Sequence, residues 1–157
     1  MGKSDAFFEA VVDALVGFLP PELADFNHKV HWNGVKFWYG DDHREHYECQ
    51  YVARPDGAPG PALEIGFHAE HSKAAENQAV LVALTGDERR WRRRLGKEAE
   101  AGPFVGSRAD TWTRVSEFWL DDEVLEPDAA IDAADRLAEY IAALEPVRAE
   151  HAAALHG

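Results

Sequence analysis

Three His-x-x-His pairs, His28/His31, His43/His46 and His68/His71, hold six of the eight histidines, and the single cysteine, Cys49, follows His46 at the same interval. Imidazole and thiolate are ligands for zinc and related ions. On a helix, residues three apart share a face, so His-x-x-His-x-x-Cys would present three ligands together. On a strand they point to opposite faces. The stretch "YECQYV" is aromatic, β-branched and strictly alternating, so the strand rule applies. Tyr47, Cys49, Tyr51 and Ala53 then share one face, and His46, Glu48 and Gln50 the other. His43 and Cys49 cannot meet His46 at one ion, and without a second cysteine a zinc finger is excluded. Cys49 reads as a small buried hydrophobe.

The same alternation makes another cluster. In "LEIGFHAEH", Leu63, Ile65, Phe67 and Ala69 face a core, while Glu64, Gly66, His68 and Glu70 face outward. If 44–53 and 62–70 pair as a hairpin across "RPDGAPGP", outward residues come opposite outward residues. His46 and Glu48 then lie beside His68 and Glu70, at cross-strand separations of roughly 5 Å that let all four share a divalent cation. The plainer reading, and the preferred one, is an exposed sheet face dressed with His–Glu pairs. His28, between Phe26 and Val30, is expected inward as a hydrogen-bonded core histidine, and the repeated spacing as coincidence.

These residues must be positioned by the elements around them. Ser4 can cap an amphipathic helix over 4–18, which "PP" at 20–21 ends. "HKVHWNGVKFWY" is one bent strand or a hairpin turning at Asn33-Gly34 in a type I′ turn. After the strand pair, Ser72 can cap the helix "KAAENQAVLVAL", and Asp87 can start a second piece with Trp91, Leu95 and Ala99 as its buried stripe. "GPFVG" suits a short strand and "TWTRVSEFWL" a longer one. Pro127 opens a long last helix that Pro146 kinks or restarts. The expected fold is one α+β domain over 1–157: an antiparallel sheet of about five strands, helices on one face, order α-βββ-α-ββ-α.

Composition narrows the function. The chain of 157 residues is 46% hydrophobic with five Trp, enough for a packed core, and its net charge of −13 opposes binding to nucleic acid or an anionic membrane. No apolar run approaches spanning length, and Glu9 and Asp13 interrupt the N-terminal run that a secretory signal would need, so a cytoplasmic protein is expected. "RRWRRRLGK" gives 87–97 a local charge of +4. With Trp91 claimed by the core, this helix is expected on the acidic "LDDEVLE" at 120–126 or on a second subunit. Glu48 and Glu64 on successive strands suggest the PD-(D/E)xK nuclease layout, but the lysine it needs at position 66 is Gly66. No nucleophile elbow, phosphate loop or dinucleotide fingerprint occurs. Strand 111–120 carries Trp112 and Phe118 on one face and Trp119 on the other, which suits an interface.

The element order, with the acidic composition, resembles the YbjN family and the type III secretion chaperone-like fold. The resemblance implies a small, often dimeric, non-catalytic protein that holds partner segments. The expectation is therefore a chaperone- or adaptor-like protein-binding domain, a homodimer without cofactor, using Trp112, Phe118 and Trp119. The alternative is a metal-dependent hydrolase or metal sensor built on His46, Glu48, His68 and Glu70.

Overall fold

Alternating apolar and polar residues through the middle of the chain make strands, and the helical stripes at both ends supply what covers them. In the computed structural model, which describes residues 3–120 and 126–156, the elements run α1 (Lys3–Phe18), β1 (Asn27–His31), β2 (Gly34–Trp38), β3 (Glu45–Ala53), β4 (Pro61–Ala69), α2 (Ala74–Thr85), α3 (Glu88–Leu95), β5 (Glu100–Pro103), β6 (Thr113–Trp119) and α4 (Pro127–His156). The strands form one antiparallel sheet in the order β1-β2-β3-β4-β6-β5. The class is α+β as expected, with six strands rather than about five.

The helices lie on one face. Helix α4 packs on α1, α2 and α3 and on the central strands β3 and β4. Phe8 and Leu15 of α1 and Leu137, Tyr140, Ile141 and Leu144 of α4 meet Phe37, Tyr47, Ile65, Phe67 and Val115 of the sheet in one buried cluster. Each such side chain contributes about 1.5–3 kcal/mol on burial. Cys49 belongs to this core, and burial pushes its thiol pKa up. Trp91 and Leu95 are buried as the stripe requires, and the indole Nε1 of Trp91 donates to the Leu84 carbonyl at 2.8 Å.

Several local expectations change. Residues 28–39 are a hairpin, but its two-residue turn is Trp32-Asn33, since His31 pairs with Gly34. Among the described residues only glycines have positive φ, so this is not a type I′ turn. Gly34 serves the sheet instead: a Cβ there would lie 2.6 Å from the Cβ of Gln50 on β3. Ser72 does not cap α2. Lys73 precedes the helix with no side-chain cap, and the buried Asn77 secures the junction by accepting from the His71 amide at 2.7 Å and donating to the His71 and Thr111 carbonyls at 2.9 and 2.8 Å. His28 shares Phe37's face, stacked on it at 6.3 Å, but it is exposed, near the outer end of β1, the edge strand of the sheet. The fifth strand, the first after the two hairpins, is Glu100–Pro103 and begins two residues earlier than "GPFVG" suggests. Helix α4 runs unbroken through Pro146. Arg89, Arg90, Arg93 and Arg94 are exposed, and most of their expected partner "LDDEVLE", residues 121–125, lies outside the described residues.

Candidate metal centre

The β3–β4 hairpin pairs His46 with His68, Glu48 with Gly66 and Gln50 with Glu64. Four ligand atoms converge on the face away from the helices. His46 Nε2 lies 2.9 Å from Glu48 Oε1 and 3.3 Å from Glu70 Oε2. His68 Nδ1 lies 3.0 Å from the same Glu48 oxygen and 3.1 Å from the same Glu70 oxygen. All four residues offer ligand atoms within 4.8 Å of one another. Ligands about 2.0–2.1 Å from a tetrahedral ion stand roughly 3.3 Å apart, close to these separations.

The remaining heteroatoms of these residues are anchored. His46 Nδ1 lies 2.8 Å from the His43 carbonyl, which can only accept, so Nδ1 carries the proton and Nε2 is turned to the cluster. His68 Nε2 donates to Glu64 Oε2 at 2.9 Å, which turns Nδ1 inward. Glu64 also accepts from Ser116 Oγ at 2.7 Å and Gln50 Nε2 at 2.9 Å, and Arg114 donates to Ser116 Oγ at 2.9 Å. His31 Nε2 bonds the outer oxygen of Glu48 at 3.2 Å, and Lys36 Nζ stands 3.8 Å from that of Glu70. Orienting partners of this kind fix tautomer and ring direction around metal-bound histidines.

The expected exposed polar face is not exposed. His46, Glu48, Glu64 and His68 are at most 4% accessible. Phe104, from the segment between β5 and β6, sets its ring 4.5 Å from the His68 ring, with Trp112 5.2 Å behind it, and the β1–β2 hairpin closes another side with His31 and Lys36. Gly66 makes room, since a Cβ there would collide with the Val115 carbonyl and with Ser116.

Burial favours neutral forms, yet the mutual contacts outweigh it. His68 is held well above the ordinary histidine pKa because Glu64, Glu48 and Glu70 overcome its desolvation, and His46 is raised by Glu48 and Glu70 against the same penalty. Glu48 is held well below the usual carboxylate range despite burial by His31, His46 and His68, and Glu70 falls to about 2. Three carboxylates, the buried Glu48 and Glu64 and the partly buried Glu70, face one permanent ion-pair partner among the described residues, Lys36. Two negative charges are left over. Two imidazolium protons balance them, and so does one divalent cation on neutral imidazoles.

Of the residues expected to act, His46, Glu48, His68 and Glu70 are brought together, whereas the aromatic set is not. Phe118 lies under the Arg114 guanidinium on the outer face, Trp112 packs on Phe104, and Trp119 turns to the helix side, bonding Glu117 at 2.8 Å. His31, Lys36, Glu64 and Ser116 join the site without having been anticipated. Glu64 was readable from parity with His68 on the same strand, but Ser116, His31 and Lys36 depended on strand pairings and registers that the sequence left open. A second group, Asp42, Glu45 and His71, gathers where β4 meets α2; there His71 Nε2 bonds Glu45 at 2.8 Å, and Arg148 bonds the other oxygen of Glu45 at 3.1 Å. Comparison with protein-family models, curated proteins and solved structures returns no match.

Proposed function

We propose that this protein binds one divalent transition-metal ion through His46 Nε2, His68 Nδ1, Glu48 Oε1 and Glu70 Oε2. The observation that carries the reading is convergence with anchoring: both imidazoles aim one nitrogen at the same two carboxylate oxygens while their other nitrogens are tied to the His43 carbonyl and to Glu64. Two imidazoles and two carboxylates suit Zn²⁺ first, with Mn²⁺, Fe²⁺ and Co²⁺ as competitors for the same donor set. A hydrolytic ion keeps a position for water, whereas four protein ligands close the shell. Glu70, at 13% the most accessible of the four, is the ligand able to yield that position. The site therefore serves a metal sensor as it stands, and a metal-dependent hydrolase when Glu70 moves aside.

Native mass spectrometry of the untagged protein tests this after loading with Zn²⁺ and desalting. One zinc per chain is expected, lost in His46→Gln/His68→Gln while circular dichroism keeps the parent's profile. Equal zinc retention by parent and variant would reject the site.

A second reading, the protein-binding domain of chaperone or adaptor type, is favoured by one surface feature. Trp32, at the β1–β2 turn, is 83% exposed beside a hollow it shares with Val52 and Pro61. The same spectra report subunit number. A homodimer that Trp32→Ala converts to monomer supports this reading, and a monomeric parent removes its self-association form.

A further inference from the structure

We infer that the hollow on the outer face of the β1–β2 hairpin is a pocket for a small organic oxyanion, a phosphate or carboxylate carried on a planar group. The inference goes beyond the metal reading: the pocket shares His31, Lys36 and His43 with the surroundings of the cluster, while Lys29 and Trp38 lie outside it. The hollow has a volume of about 400 Å³ and is lined by Lys29, His31, Lys36, Trp38 and His43. That size suits a small ligand.

Its lining contains no carboxylate, on a chain whose net charge is −13. Lys29 and Lys36 are direct partners in the β1–β2 register, so two ammonium groups stand on adjacent strands on the same face. Like charges directly opposite one another destabilise a strand pair. Lys36 is partly offset by Glu70 at 3.8 Å, but Lys29 has no carboxylate in ion-pair range among the described residues. An oxyanion between them turns this repulsion into two charge-assisted contacts. Trp38 is half-buried at one wall, with the His43 ring 6.1 Å away at a steep angle, and offers its indole to a planar substituent. The pocket adjoins the cluster through His31, which bonds Glu48, and through Lys36, which pairs with Glu70. A competing explanation is that Lys29 only protects an edge strand from pairing with another chain.

Isothermal titration of metal-free, chelator-treated protein with phenyl phosphate, benzoate and phenol separates these explanations. One of the two anions is expected to bind one per chain, and which of them binds more tightly assigns the headgroup. Phenol is expected to bind at least about tenfold more weakly, and Lys29→Glu to weaken the anion by at least about tenfold, the loss of one charge-assisted contact. Zinc affinity, read by chelator competition, stays at the parent's value in Lys29→Glu. Neither anion binding, or Lys29→Glu binding as the parent does, overturns the pocket and leaves lysine as edge protection. Anion binding without zinc binding upholds the pocket and overturns the metal centre. Zinc binding without anion binding does the reverse.

Discussion

His46 and His68 face hydrogen-bond acceptors on both ring nitrogens, which metal-free imidazoles can satisfy only as imidazolium. Two predictions follow at the scale of single residues. Glu64 touches no proposed ligand atom but holds the far nitrogen of His68. Glu64→Gln keeps the size and an acceptor while removing the charge, so zinc affinity is expected to fall by roughly 10–100-fold with the fold intact. An unchanged affinity in chelator competition would make Glu64 a bystander. The second concerns pH. The carboxylates Glu48 and Glu70 have depressed pKa values, so their stabilisation is present above the ordinary value of 4.5 and is lost as pH falls, for Glu70 towards about 2. The raised histidines stabilise below their ordinary 6.5, and lose that contribution as pH climbs through their elevated values. Metal-free protein is therefore most stable between these two ordinary values and weaker in alkali. Urea midpoints measured at pH 5.5 and pH 9 check this, and equal midpoints would show that the histidines are not charged in the folded state.

At the scale of elements, β4 is the strand on which the face depends, and Gly66 is its critical point. The residue lies between Glu48 of β3 and Ser116 of β6, with no space for a Cβ. Gly66→Ala is expected to cost about 3 kcal/mol through overpacking and backbone strain, seen as a lower urea midpoint. A cost under about 1 kcal/mol would mean that β6 shifts freely. Asn77→Ala should also destabilise, by about 2–4 kcal/mol, because it leaves the His71 amide and two carbonyls without partners at the β4–α2 junction. Alternation alone made the two faces of β3 and β4 legible, and hairpin parity then set His46 and Glu48 beside His68 and Glu70. Burial of the outer face was not legible. It depends on Phe104 and on the β1–β2 hairpin, segments far apart in the chain whose docking no local periodicity encodes. Nor could Asn77 be told from Ser72 as the residue that secures α2, since both are small polar residues near a helix start.

For the whole molecule, the strand order decides how far the effect of a bound ion spreads. The proposed ligands lie on or directly beside the central strands β3 and β4, while their supports come from β1 through His31, β2 through Lys36 and β6 through Ser116. An ion at the centre thus ties down five of the six strands, counting those that carry its ligands. Because the unfolded chain has no preformed site, binding adds RT ln(1 + [metal]/Kd) to stability, about 2.7 kcal/mol at a hundredfold excess over Kd. The gain is expected to be larger at pH 9 than at pH 5.5, since in alkali the ion replaces protons that have already left, whereas in acid it must displace them. The net charge of −13 adds a nonspecific term, drawing divalent cations to exposed carboxylates at low ionic strength. At about 0.15 M salt that term is screened, while a buried site is screened much less. Zinc titrations should accordingly show more than one ion per chain in dilute buffer and converge on one at about 0.15 M salt. The remaining ion should still raise the urea midpoint, and Glu48→Gln should abolish that rise. A stabilisation that vanishes with salt would place the cations on the acidic surface and leave the His–Glu cluster as a proton-balanced structural network.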